Sequence, residues 1–239
     1  MWLDAVDLRD FYASPIGHVA RRMIGLHIRK LCPDVNGMSV LGLGFSTPYL
    51  NAFRSEADRV IAAMPASQGV LHWPGDGVNQ TILTDEAEIP LPDLSIDRVI
   101  MVHAVECAEA VRPMMREVWR VLSASGRVVI IAPNRRGIWA RLERTPFGYG
   151  RPYTTRQLNR LLRDTMFTPI ASDGALYAPP ARSRMILSSA PAWEKIGHRW
   201  LHALGGVVSV EASKQIYAAT PVEAVARRRR RFATVIDRN

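Results

Sequence analysis

Short runs of consecutive apolar residues alternate with longer segments of helical spacing along most of this chain. The runs at 38–43, 98–102 and 127–132 are continuously apolar rather than alternating. This pattern is typical of parallel strands that are covered on both faces. Further strands are predicted at 59–63, 69–73, 184–189 and 206–212. The order of elements therefore predicts a doubly wound α/β fold with a mostly parallel sheet.

Helical periodicity lies between these runs and ahead of the first of them. Residues 4–31 are predicted to form two helices, broken near Pro15 and Gly17. The other predicted helices are 47–55, 107–122 and 155–164. Residues 85–96 are rich in proline and aspartate and are expected to form a loop.

A glycine-containing turn, Gly42 to Pro48, follows the first predicted strand. In open α/β sheets, ligands bind beyond the carboxyl ends of the strands. Glycine there lets backbone N–H groups approach a ligand closely, although a tight turn also needs glycine for structural reasons. The candidate ligand-binding residues of this turn are Gly42, Gly44, Phe45 and Ser46.

The segment from Thr84 to Asp97 reads Thr-Asp-Glu-Ala-Glu-Ile-Pro-Leu-Pro-Asp-Leu-Ser-Ile-Asp and directly precedes a strong strand. It resembles the Asp-Ala-Glu-x-Leu-Pro-Phe-Pro-Asp-x-Ser-Phe-Asp loop of class I S-adenosylmethionine-dependent methyltransferases of the type 11 kind. Glu117 to Leu122, with Gly126, is similar to the Glu-x-x-Arg-Val-Leu-Lys-Pro-Gly-Gly segment of that family. The resemblance covers about residues 36–170.

This resemblance implies a Rossmann-like methyltransferase fold with a seven-stranded sheet and N-terminal helices. It divides the chain into an N-terminal helical segment (1–35), a methyltransferase-like domain (36–222) and a basic tail (223–239). It also implies S-adenosylmethionine as cofactor and a small-molecule methyl acceptor.

The implied cofactor site combines the glycine turn with the acidic loop. Asp85 matches the acid that accepts a hydrogen bond from the adenine amino group; its other interpretation is an exposed turn former. Met64 stands where the family has a ribose-binding acid, Gly42 replaces another acid, and Ser46 and Pro48 replace motif glycines. The candidate cofactor-binding residues are Gly42, Gly44, Phe45, Ser46, Met64, Asp85, Glu86 and His103.

His103 and Glu106 follow the strand that lines the methyl-transfer pocket in the family. Methyl transfer to a hydroxyl or a nitrogen requires a proton acceptor near the nucleophile, so both are candidate catalytic residues. The alternative is a hydrogen-bonded strand-end histidine beside an acid at a helix start. The aromatic segment 134–153 is either a lid over the acceptor or part of the packed surface.

Two other functions remain open from the sequence. The replaced glycines and the missing ribose acid favour a non-catalytic relative that serves as a binding or scaffold module. A nucleic-acid methyltransferase would use the arginine tail as an anchor, although His103 to Glu106 do not form the Asn/Asp-Pro-Pro-Tyr/Phe motif of such enzymes.

The net charge of +9 is concentrated in part at the end of the chain. The tail is interpreted either as a solvated segment or as a patch for nucleic acid or an anionic surface. Its consecutive arginines are Arg227, Arg228, Arg229, Arg230 and Arg231. With only Cys32 and Cys107, no apolar run of membrane-spanning length and no signal-peptide pattern, we expect a cytoplasmic protein without a transmembrane segment.

Overall fold

The computed structural model describes residues 4–181 and 183–216. Within them lie seven strands: β1 Ser39–Gly44, β2 Arg59–Pro65, β3 Thr81–Thr84, β4 Ile96–Val102, β5 Leu122–Pro133, β6 Phe167–Ala175 and β7 Val207–Lys214. The α-helices in the same range are α1 Ala5–Ala13, α2 Pro15–Leu31, α3 Thr47–Leu50, α4 Val111–Val121, α5 Thr155–Asp164, α6 Arg184–Ser188 and α7 Ala190–Trp200. The predicted tail, 223–239 with Arg227 to Arg231, lies outside the described residues.

The strands form one sheet in the order β3-β2-β1-β4-β5-β7-β6. The first five strands are parallel, and β7 runs antiparallel between β5 and β6. This confirms the predicted doubly wound, mostly parallel sheet. The strand order reverses between β1 and β4, so the carboxyl ends of these two strands mark the expected ligand site.

Helices cover both faces of the sheet, which explains the continuously apolar strands. Along β1, Val40 packs into a cluster with residues of α1 and α2, whereas Leu41 packs into a cluster with residues of α4 and α5. Because successive side chains of a strand point to opposite faces, every position of such a strand must be apolar.

Three sequence predictions are corrected by the structure, and one strand was missed. The third strand lies at 81–84 instead of 69–73, and 184–189 holds a helix rather than a strand. Strand β6 was not predicted, and the helix expected at 47–55 ends at Leu50 and continues as a 3₁₀ turn. Strands β3 and β6 lie at the sheet edges and are partly exposed, so their apolar pattern is weak.

The N-terminal helices pack directly against the sheet. Ser14 ends α1 and caps α2, since its Oγ accepts a hydrogen bond from Gly17 N at 3.1 Å. The backbone N–H of Ala5 donates to the carbonyl of Gln68 at 2.7 Å, which attaches α1 to the loop after β2. In the described part of the chain, no helix has the length and apolarity needed to cross a membrane.

The connection between β6 and β7, residues 176–206, contains α6 and α7. We call it the helical insertion. Trp139 holds the start of this insertion, because its indole N–H donates to the carbonyl of Ala178 at 2.8 Å.

Gly44 ends β1 with a positive φ of +77°, and a Cβ added there would lie 2.5 Å from the carbonyl oxygen of Val102. We expect Gly44→Ala to lower the free energy of unfolding by about 3 kcal/mol or more, because both the backbone conformation and the contact are unfavourable. Chemical denaturation measures this change. Gly75→Ala is the control, since no atom lies within 4 Å of its added Cβ; an equal loss in both variants would contradict the interpretation.

Candidate functional site

The side chains of the glycine turn pack against other parts of the protein. A Cβ at Gly42 would lie 2.1 Å from Oγ of Ser46. The ring of Phe45 is buried and stacks on Tyr12, with 5.8 Å between ring centroids. Ser46 is fully buried, and its hydroxyl has no hydrogen-bond partner among the described residues. Contact of this turn with a ligand therefore depends mainly on its backbone.

His103 lies at the carboxyl end of β4 in a left-handed backbone conformation, with φ of 50°. Its Nε2 is 2.8 Å from the hydroxyl of Tyr12, and its Nδ1 is 3.1 Å from Oε1 of Glu106. Tyr49 donates its hydroxyl proton to the oxygen of Tyr12 at 2.9 Å. All four side chains are buried, so they form a hydrogen-bonded chain beside the end of β1.

The direction of this chain follows from what each group can donate. A carboxylate of Glu106 only accepts, so Nδ1–H of His103 donates to it and Nε2 accepts from Tyr12. Burial, reinforced by Tyr49, raises the pKa of Tyr12 well above its usual value. Tyr12 therefore keeps its proton and presents it to His103.

Gln68, in the loop after β2, also contacts His103. Its side-chain N–H donates to the backbone carbonyl of His103. Oε1 of Gln68 and Oε2 of Glu106 are buried and have no hydrogen-bond partner within the described residues. Two buried acceptors thus lack donors at the carboxyl edge of the sheet.

The sequence interpretation missed Tyr12 and Gln68. Tyr12 is one of several apolar positions on a helix, and Gln68 lies in a polar turn. Only the three-dimensional contact of each residue with His103 identifies it as part of the site, and in both cases the two partners are distant in sequence.

An acidic cleft of about 430 Å³ lies beyond the ends of β2 and β3. Oδ1 of Asp85 accepts the backbone N–H of Ala87 at 2.8 Å, while Oδ2 has no partner among the described residues. Glu86 accepts the backbone N–H of Ala110 at 2.6 Å and so anchors the start of α4. The cleft is lined by Pro65, Ala66, Ser67, Asp85, Glu86, Ala87, Glu109 and Ala110.

Met64, at the end of β2, is fully buried in the core and does not line this cleft. The end of β2 therefore presents no carboxylate. A cofactor role for Met64 stays a prediction that depends on its backbone.

Arg120 and Glu117 hold the loop that carries Asp85. The guanidinium of Arg120 donates to the carbonyls of Ile89 at 2.7 Å and Leu91 at 2.9 Å. Glu117 accepts two hydrogen bonds from Arg120 and one from the backbone N–H of Ile89. These hydrogen bonds to Arg120 lower the pKa of Glu117. The Glu-x-x-Arg motif thus fixes the loop in place.

A larger cavity of about 750 Å³ lies between the α1–α2 junction, the aromatic segment and the helical insertion. Phe147 separates it from the buried histidine, with ring centroids 5.0 Å from His103 and 6.0 Å from Phe11. Phe147 and Trp139 are fully buried, so these two aromatics of the segment pack inside the fold. The cavity is lined by Phe11, Ser14, Pro15, Ile16, Leu142, Arg144, Thr145, Pro180, Ala181 and Leu187.

Residues 25–130 match the family described as methyltransferase domain. Two relatives from Mycobacterium tuberculosis strains, each named a probable S-adenosylmethionine-dependent methyltransferase, are 31% identical over 169 residues. The alignment covers 64% of this chain and 57% of each relative, so the chain spans little more than half the length of these relatives.

Solved structures show the same fold. A SAM-dependent methyltransferase from Thermotoga maritima has a TM-score of 0.61 at 13% identity, covering 87% of this chain and 94% of the other. A SAM-dependent methyltransferase from Archaeoglobus fulgidus has a TM-score of 0.57 at 18% identity, covering 81% and 94%. Together with the sheet order, they show that the chain has the fold of the class I S-adenosylmethionine-dependent methyltransferases.

Proposed function

We propose that this chain transfers a methyl group from S-adenosylmethionine to a small-molecule acceptor. The observation that carries the proposal is the buried chain Tyr12–His103–Glu106 at the point where the strand order reverses. A buried acid and imidazole at this edge provide a proton acceptor in the place where the family's reaction occurs.

The buried polar atoms fit the cofactor. S-adenosylmethionine carries an ammonium group that donates hydrogen bonds, and the unpartnered Oε2 of Glu106 and Oε1 of Gln68 are acceptors suited to it. The acidic cleft with Asp85 suits the adenine amino group in the same way. When bound, the cofactor supplies an electrophilic methyl group on its sulfonium.

The ribose end of the cofactor has a weaker partner. Because Met64 and Pro65 end β2, no carboxylate there accepts both ribose hydroxyls. Loss of such charge-assisted hydrogen bonds costs about 1.5 to 3 kcal/mol, which is one to two orders of magnitude in affinity. We therefore expect backbone contacts at Gly44 and Phe45, together with Asp85, to dominate cofactor binding.

We propose that the proton from the acceptor leaves through the buried chain. Both ring nitrogens of His103 already have protein partners, so the proton reaches the ring through the hydroxyl of Tyr12. Tyr12 takes a proton from the acceptor and passes its own proton to Nε2 of His103. Glu106 then holds the protonated imidazole through Nδ1–H.

The larger cavity is the proposed acceptor site. Apolar side chains line most of it, and Arg144 is an exposed basic residue on its wall. This composition favours a small molecule with an apolar body.

Incubation with methyl-labelled S-adenosylmethionine and fractionated small-molecule extracts tests the proposal. We expect label in an apolar fraction, and we expect Leu187→Trp, which fills the cavity from α6, to reduce transfer at least about tenfold without changing cofactor affinity. Label transferred equally well by this variant would contradict the acceptor site. Absence of transfer to every fraction, with cofactor bound, would favour the second candidate.

That second candidate is a non-catalytic binding module. The closed packing at Gly42 and the buried Met64 favour it. A basic-tail role in binding nucleic acid or an anionic surface stays a prediction.

We also propose a cytoplasmic location. Cys32 and Cys107 are buried and form no disulfide, which agrees with a reducing compartment.

A further inference from the structure

Helix α7 carries an apolar stripe on its outer side. Trp193, Ile196 and Trp200 are spaced by three and four residues and so lie along one flank of the helix. Their exposed fractions are 38%, 52% and 73%. The helix uses Ala190 and Gly197, rather than this flank, for its buried contacts.

Other exposed apolar side chains lie on the helical insertion and on α2, which packs against it. Leu26 of α2 is 63% exposed and lines a cleft with Pro191 and Lys195, on the flank of α7 opposite the stripe. The insertion adds Met185, Leu201 and Leu204, all exposed. Grouped apolar exposure of this kind indicates a binding surface rather than ordinary solvent exposure.

The surface around the stripe is basic. The described residues of the insertion include Arg184, Lys195 and Arg199 against one acid, Glu194, for a net charge of +2. Glu194 accepts the backbone N–H of Tyr177 at 2.7 Å, so its charge is used within the insertion. The guanidinium of Arg199 lies 5.7 Å from the ring centroid of Trp200.

We propose that the helical insertion docks on an anionic lipid bilayer. Tryptophan rings suit the region between headgroups and acyl chains, while lysine and arginine reach lipid phosphates from the same helix. A second copy of this chain would bring the same basic surface against itself, so like charges oppose that occupant. An anionic bilayer is complementary to both the positive charge and the apolar stripe of this surface.

The docking surface is connected to the large cavity. Pro180, Ala181 and Leu187 of the insertion line that cavity. Docking would therefore bring the cavity close to a source of apolar molecules. This last consequence depends on the proposed function, whereas binding to a bilayer does not.

Flotation of the full chain with vesicles tests the proposal. We expect binding to phosphatidylcholine vesicles that contain roughly one-third phosphatidylglycerol, and at least about tenfold weaker binding to pure phosphatidylcholine. The variant Trp193→Ser with Trp200→Ser should weaken binding at least about tenfold. Its control is Val78→Ser with Leu83→Ser, which removes two exposed apolar side chains elsewhere.

A charge-reversal pair separates this surface from general electrostatics. Lys195→Glu with Arg199→Glu should abolish binding, whereas Arg156→Glu with Arg160→Glu, on α5 across the sheet, should leave most of it. Absence of vesicle binding, or equal loss in both pairs, would overturn the proposal. So would binding that survives the tryptophan variant and disappears when Arg227 to Arg231 are replaced by serine.

Discussion

Replacing His103 by asparagine is expected to lower kcat for methyl transfer by about two to four orders of magnitude, the usual contribution of a general base. Asparagine tolerates the positive φ of this position, so the substitution removes the imidazole with little backbone strain. The acceptor proton then has no group to reach beyond Tyr12. Initial rates with the labelled acceptor fraction measure the loss.

Cofactor affinity provides the control for this prediction. His103→Asn should bind S-adenosylmethionine within a factor of about three of the unmodified chain, since the proposed adenine contact at Asp85 is untouched. Tyr12→Phe should also slow transfer, because it interrupts the same proton path. Unchanged kcat in both variants would show that the buried chain is structural.

Replacing Trp139 by alanine is expected to lower the free energy of unfolding by about 3 to 5 kcal/mol. The ring is fully buried and packs edge-on against Phe147 at 5.4 Å between centroids. Its N–H also satisfies the carbonyl of Ala178. The substitution therefore leaves a cavity and an unpaired buried acceptor where the aromatic segment meets the helical insertion.

Chemical denaturation measures this loss, with Trp200→Ala as the matched control. Trp200 is largely exposed, so its removal should change stability by no more than about 0.5 kcal/mol. Similar losses in the two variants would contradict the assigned packing of Trp139.

The fold was predictable to the extent that burial leaves a pattern in the sequence. Residues 40–44 of β1, 99–102 of β4 and 128–132 of β5 are covered on both faces and are continuously apolar. Strand β3 has a half-exposed pattern over four residues, and β6 contains Pro169 beside a register shift. Neither edge strand leaves a run that distinguishes it from a loop.

The candidate site was predictable in part. The resemblance of residues 84–97 to the family's loop identified Asp85 as a candidate, and the position after a predicted strand identified His103 and Glu106. Tyr12 could not be found in this way, since its contact with His103 joins positions 91 residues apart. Such a contact depends on how α1 packs across the sheet, and no local pattern encodes it.

Calorimetric titration with S-adenosylmethionine tests the central claim most directly. We expect measurable binding to the unmodified chain, weakened about tenfold to a hundredfold by Asp85→Ala because one charge-assisted hydrogen bond is lost. Glu88→Gln is the control, since Glu88 is an exposed acid of the same loop that does not line the cleft. No heat at millimolar ligand, or equal affinity for Asp85→Ala and the unmodified chain, would contradict the account.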